Sequence, residues 1–121
     1  MSLLAAVMLI CSSGDRDVAA AVLAEAVAQG VPAELALAVS CVESGLTAHN
    51  PMGVRDCYAG RNNGRFDSQA CITIGVRSLA NRLRGCGGDQ VCAARRFNNA
   101  AHKVAYAAKV TRIAKFLRRH K

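Results

Sequence analysis

Leu35-Ala36-Leu37-Ala38-Val39-Ser40-Cys41-Val42-Glu43-Ser44-Gly45 is the stretch that decides the fold. From Leu35 to Val42 only Ser40 carries a polar side chain, so a helix here has no polar face and belongs in the interior. Gly45 is a natural residue to end it, because glycine reaches the left-handed conformation that closes a helix without a steric penalty. Glu43 therefore falls in the last turn of a buried helix. Desolvation and the partial negative charge of a helix C-terminus both disfavour a carboxylate, so both raise its pKa. An isolated Glu titrates near about 4.3 and a general acid working near neutrality needs about 6, a difference of roughly 2 kcal/mol. The helix terminus supplies about 0.3–1 kcal/mol of that, which leaves most of it to burial against Val39 and Val42. The opposing reading turns Glu43 outward as a solubilising residue at a helix end.

The rest of the chain supports a mostly α fold. Hydrophobic residues make up 52% of the chain, aromatics only 4%, and tryptophan is absent. A core of Ala, Val, Leu and Ile suits close-packed helices better than a sheet, where aromatics and Thr are favoured. With 121 residues there is material for one compact domain and not for two. Asp17 is expected to cap a helix over 18–29 that Gly30 closes, and Pro32 suits the first turn of the helix carrying Glu43. Asp67 or Ser68 starts a third helix through Leu83, with Ile72, Val76, Leu79 and Leu83 at three- and four-residue spacing. After a turn over 85–88, Asp89 caps a short helix leading to Phe97. A last helix over about 101–119 turns Ala105, Val110, Ile113 and Leu117 inward. Lys103, Lys109, Arg112, Lys115, Arg118 and Arg119 then lie outward. The picture is five helices, with a short β-hairpin in the 50–66 loop.

Residues 1–13 form an apolar N-terminal arm or a degenerate signal segment, and 14–121 the domain itself. The apolar run is shorter than the roughly 20 residues that span a bilayer. It also lacks the basic start and small-residue cleavage site of an ordinary export signal. Six cysteines in so short a chain point to an oxidising compartment. Cys86 and Cys92 bracket a flexible Gly87-Gly88 turn, and Cys57 and Cys71 bracket a polar loop. Cys11 is then left with Cys41 by elimination. Cleavage after Cys11 would leave an odd cysteine, so the arm is expected to remain.

Charge is distributed unevenly. Residues 1–54 hold five acids and one base, whereas residues 55–121 hold fifteen bases and three acids, giving +8 overall. A basic surface attracts a polyanion, and bacterial cell wall, acidic lipid and nucleic acid all qualify. The basic C-terminal helix end resembles membrane-surface and nucleic-acid arms, although such ends also complement the helix dipole. No Cys-x-x-Cys occurs and His49, His102 and His120 stand far apart, so no metal is expected. There is no phosphate-binding glycine loop and no Ser-His-Asp or Cys-His pattern with supporting context. No cofactor is expected.

Other residues suit a glycan ligand. Asn98 and Asn99 follow Phe97, and amides donate and accept together, as sugar hydroxyls and N-acetyl groups require; helix capping is the plainer reading. Tyr106 is placed to hydrogen-bond a carboxylate or to serve as an ordinary core tyrosine. Arg55, Arg61 and Arg65, interleaved with Tyr58, Asn62, Asn63 and Phe66, make a basic loop that faces a cleft or simply solvent. Asp56 and Asp67 are the candidates for a second carboxylate, which a two-acid glycosidase places about 5–9.5 Å from the first.

The order of these pieces resembles the soluble lytic transglycosylase and goose-type lysozyme family. In that family a helix preceded by apolar residues ends in Glu-Ser-Gly, as Glu43-Ser44-Gly45 does here. Asn50-Pro51-Met52-Gly53-Val54 is similar to its Ser-Pro-x-Gly-Ala segment, and Ile74-Gly75-Val76-Arg77-Ser78-Leu79 to its Ile-x-x-Gly-x-x-Tyr-Leu helix. Arg96-Phe97-Asn98-Asn99-Ala100 resembles Ala-Tyr-Asn-Ala-Gly, and Tyr106 with Val110 matches a late Tyr-x-x-x-Val. The match covers about residues 18–117 in the family's order. Phe97 replaces the motif's Tyr, and 55–70 stands where the family has Gly-Leu-Met-Gln in its cleft.

The resemblance implies a single lysozyme-like helical domain that binds the glycan strands of peptidoglycan. It implies Glu43 as the catalytic acid/base, with Ser44, Gly53, Phe97, Asn98 and Tyr106 binding substrate and a 1,6-anhydro sugar as product. The rival readings are a hydrolytic muramidase using Asp56 or Asp67, a non-catalytic wall-binding module, and a cationic membrane-active or nucleic-acid-binding protein. The first reading expects an exported (periplasmic or extracellular) or virion-associated monomer that contacts the anionic cell surface and not nucleic acid.

Overall fold

The computed structural model describes residues 1–54, 57, 67–97 and 103–121. Within them the chain forms six helices and no strand: α1 (Leu3–Ile10), α2 (Arg16–Gln29), α3 (Ala33–Ser44), α4 (Ser68–Gly85), α5 (Gln90–Phe97) and α6 (Lys103–Arg118). One continuous apolar core runs through all six. Most of the 50–66 stretch, where the hairpin was expected, lies outside the described residues, as do Arg55, Asp56, Tyr58, Arg61, Asn62, Asn63, Arg65 and Phe66.

α3 is the central helix, as its missing polar face requires. Glu34 through Ser40 are buried in succession, nearly two full turns with no side open to solvent. Its most extensive partner is α6, and α1 and α2 pack on its other flanks. It closes at Gly45, whose φ of 67° puts it in the left-handed region and whose N–H reaches back to the Ser40 and Cys41 carbonyls. The helix that carries Glu43 therefore ends where the sequence says it should.

Three local expectations shift. α2 begins earlier than expected and is capped by Asp15, not Asp17: the Asp15 carboxylate accepts from Asp17 N (2.8 Å) and Val18 N (3.4 Å). Asp17 becomes a first-turn acid facing the positive end of the helix dipole. On α6 the inward stripe is Ala107, Val110, Ala114 and Leu117; Ala105 is exposed and Ile113 half-buried. The helix count rises from five to six because residues 3–10 are helical. Ser2 caps α1 through Ala5 N at 3.0 Å, and Ala6 and Val7 are completely buried. α4 starts from Asp67 and α5 from Asp89, whose carboxylates accept from Ala70 N and Cys92 N, both at 3.1 Å.

The core explains the cysteines. Alanines at 19, 26, 36, 38, 93, 94, 107 and 114 let helices approach closely, but each buries little apolar area. Small domains with thin cores depend on covalent staples. All six cysteines are paired: Cys11–Cys41, Cys57–Cys71 and Cys86–Cys92, with Cα–Cα separations of 6.0, 4.8 and 5.8 Å. The first ties the end of α1 to α3 and closes the longest loop, 30 residues, a constraint worth roughly 3–4 kcal/mol in the chain-entropy model. Among the described residues no helix is long and apolar enough to cross a membrane.

An ion cluster around the buried Glu34 locks the opposite end of α3. The Glu34 side chain is 3% exposed, with Lys121 Nζ at 3.1 Å and Arg118 Nε at 3.5 Å. The Lys121 ammonium is the partner of the buried Oε2. Gln90 bridges the group, donating to Glu34 (3.5 Å) and accepting from Arg118 (3.0 Å). Burial pushes the Glu34 carboxyl up, but its own backbone N–H, Lys121 and Gln90 more than offset this and hold it below the ordinary 4.5. A depressed carboxyl stabilises the fold above its unfolded pKa, and that stability is lost as pH falls through the folded value. Urea unfolding followed from neutral to acid pH should therefore show a smaller acid-side loss in Glu34→Gln than in the parent chain. An unchanged acid slope would place the acid sensitivity elsewhere.

Candidate active site

Glu43 lies one residue before the end of α3 and is half-buried, neither sealed in the core nor turned wholly to solvent. The backbone around it is fixed from two sides. On one, Asp15 N donates to Leu46 O at 2.9 Å, and Gly14 fits so closely that a Cβ there would stand 2.7 Å from Gly45 O. Together with Cys11–Cys41, this binds the α1–α2 turn to the end of α3.

On the other side, the chain after Leu46 folds back under α3. Ser40, fully buried, donates to the Pro51 carbonyl at 2.8 Å, and Ser44 reaches the same oxygen at 2.9 Å. Asn50 closes the turn, its side chain accepting from Val54 N and donating to Val54 O, both at 3.1 Å. Met52 is fully buried beneath α4, where Gly75 makes room: a Cβ on Gly75 would overlap the Met52 side chain. These contacts bring Gly53, with φ of 66°, directly against Glu43. A Cβ on Gly53 would overlap Glu43 Oε2 and stand 2.9 Å from its Cδ. Gly53 itself is exposed and Glu43 half-buried, so open backbone adjoins the carboxylate.

Tyr106 closes the arrangement from α6. Burial first, and then the Glu43 carboxylate, push its phenol well above the ordinary 10.0. It therefore stays a neutral donor throughout the physiological pH range. Its hydroxyl is buried with no partner in hydrogen-bonding geometry, although Glu43 is near enough to act on it through charge and as an acceptor. The Glu43 carboxylate therefore lies within reach of the Tyr106 hydroxyl. Such contacts tighten when a ligand settles the site.

Of the residues expected at the site, Glu43, Gly53 and Tyr106 converge. Ser44 is adjacent, but its hydroxyl is engaged by backbone: it donates toward Pro51 and accepts from Thr47 N at 3.2 Å. It positions the turn. Phe97 ends α5 with its ring half-buried against the core, and Asn98 lies outside the described residues along with Asn99 and Ala100. Asp67 is committed to capping α4. Sequence reading missed Ser40 as a structural hydroxyl; being the sole polar residue in an apolar run was its signal. Among the described residues no group of His, Cys, Asp or Glu is arranged to hold a metal.

Known proteins add nothing to this picture: no family model matches the chain, and no curated protein or solved structure does so significantly. What the fold and site define on their own is a disulfide-stapled helical domain presenting one carboxylate between an exposed glycine and a buried phenol.

Proposed function

We propose that the protein cleaves the β-1,4 glycosidic bond between N-acetylmuramic acid and N-acetylglucosamine in peptidoglycan, as a lytic transglycosylase on a lysozyme-like helical domain. The observation that carries this reading is the Glu43 carboxylate held between the Gly53 backbone and the Tyr106 hydroxyl. Glu43 protonates the glycosidic oxygen as the bond to the anomeric carbon breaks, while the substrate's N-acetyl oxygen bonds to that carbon. The resulting carboxylate takes the proton of the sugar's C6 hydroxyl, whose oxygen displaces the N-acetyl oxygen and closes the 1,6-anhydro ring. One group serves as acid and then as base, so water need not attack.

Of the two carboxylates a hydrolytic muramidase would use, Asp67 is engaged at the start of α4, which supports a single-acid mechanism, and Asp56 lies outside the described residues. Gly53 gives the glycan close access to the carboxylate, and Tyr106 orients it, with Phe97 and Asn98 as further binding residues. The three disulfides fit an exported or virion-associated protein, which is where the substrate is found.

Incubation of the protein with purified peptidoglycan, followed by mass spectrometry of the products, tests the reading. Anhydro-muropeptides are expected. Reducing-end products would convert it to a muramidase, and sedimentation with walls but no turnover would make it a binding module.

A further inference from the structure

Two grooves cross the face built by the end of α4, α5 and α6, and they share Arg95 and Val104 as a common edge. The larger, about 610 Å³, is lined by Arg82, Arg95, Arg96 and Lys103. The smaller, about 330 Å³, adds Arg112 and Lys115. Among the described residues no acid lines either groove. Two of the guanidiniums are braced on backbone: Arg82 donates to Arg96 O at 3.1 Å, and Arg96 to Gly85 O at 3.4 Å. The ion pairs among the described residues converge on Glu34 and leave this face uncompensated.

Apolar side chains stand exposed among these cations. Val104 is 63% exposed and Val91 41%, and both line the smaller groove. We propose that this face docks the protein on an anionic phospholipid surface, with the valines entering the boundary between headgroups and acyl chains. The six cations would meet the lipid phosphates. A soluble phosphate polymer would use the cations and gain nothing from exposed valines. A nucleic acid would call for aromatic stacking platforms, and among the described residues neither groove has one. The proposal does not use Glu43 and stands whether or not the glycan reading does.

The full chain should sediment with vesicles containing phosphatidylglycerol and not with phosphatidylcholine alone, with binding weakened by salt. Arg95→Glu combined with Lys115→Glu should weaken it by at least about fivefold per lost cation. Because the chain has no tryptophan, Val104→Trp supplies a single emission reporter at an exposed position. Its emission should shift to the blue on phosphatidylglycerol vesicles and stay unshifted with inorganic polyphosphate. Absence of binding, binding unaffected by the double charge reversal, or bound protein with unshifted emission would each overturn the proposal. Polyphosphate binding as tight as vesicle binding, with no shift, would assign the face to soluble phosphate polymers. Should the double variant fail to fold, the tryptophan reporter alone decides.

Discussion

Glu43→Gln is expected to lower the release of anhydro-muropeptides by between about 100- and 10,000-fold, the range over which a positioned acid or base contributes to a rate. The amide is nearly the same size and shape as the carboxyl, so it fits the same space beside Gly53. It can neither deliver a proton to the glycosidic oxygen nor remove one from the C6 hydroxyl, and the proposed mechanism requires both from this one group. Asp67, one of the two candidates for a second carboxylate, is occupied as a helix cap. The variant should still sediment with cell walls and unfold at nearly the parent's denaturant midpoint. That combination separates a lost catalytic group from a damaged fold. Turnover at the parent's rate would remove Glu43 from the chemistry.

Much of the architecture is legible because it depends on local pattern. The 33–44 helix announces itself by having no polar face, and its end by Gly45. The caps at Asp67 and Asp89 follow from residue type next to an apolar-periodic run. Where local signals compete, the sequence misleads. Asp15 and Asp17 are both good caps, and only the path of the turn held to Leu46 selects the first. Ala105 and Ala107 are the same residue type, so the sequence does not distinguish which one faces inward on α6, and packing of α6 on α3 decides it. Residues 3–10 read as an arm or signal segment because their helix is fixed by tertiary packing and by Cys11–Cys41.

The site divides in the same way. Glu43 stands out from the sequence because a charge at the end of an apolar helix is an anomaly. Gly53 is reached only through a resemblance to other proteins, and Tyr106 by itself reads equally as a carboxylate's partner or a core tyrosine. Their placement depends on long-range contacts: two serine hydroxyls on the Pro51 carbonyl, and the broad α3–α6 packing. Ser40 shows why such features stay hidden. Its hydroxyl acquires a role only when the chain folds back beneath it.

Gly53→Ala should therefore separate the position of Glu43 from its presence. The substitution is strained twice. At φ of 66° an alanine pays about 1–2 kcal/mol for its Cβ in the left-handed region, and that Cβ overlaps the Glu43 carboxyl. The backbone has little freedom to yield, because Pro51 is fixed to Ser40 and Ser44, Asn50 closes on Val54, and Met52 is sealed under Gly75. The softer component is the Glu43 side chain, which would rotate away from Tyr106. A displacement of about 1 Å at a catalytic group costs on the order of 100-fold in rate, far more than the modest loss of stability would suggest. Peptidoglycan turnover should thus fall by about that factor while the protein remains folded at ambient temperature, as far-ultraviolet circular dichroism would report. A Gly53→Ala protein with full turnover would show that the carboxylate does not work from its position against Gly53. The larger Gly53→Val should deepen both losses, because its branched Cβ leaves the carboxylate no adjacent space.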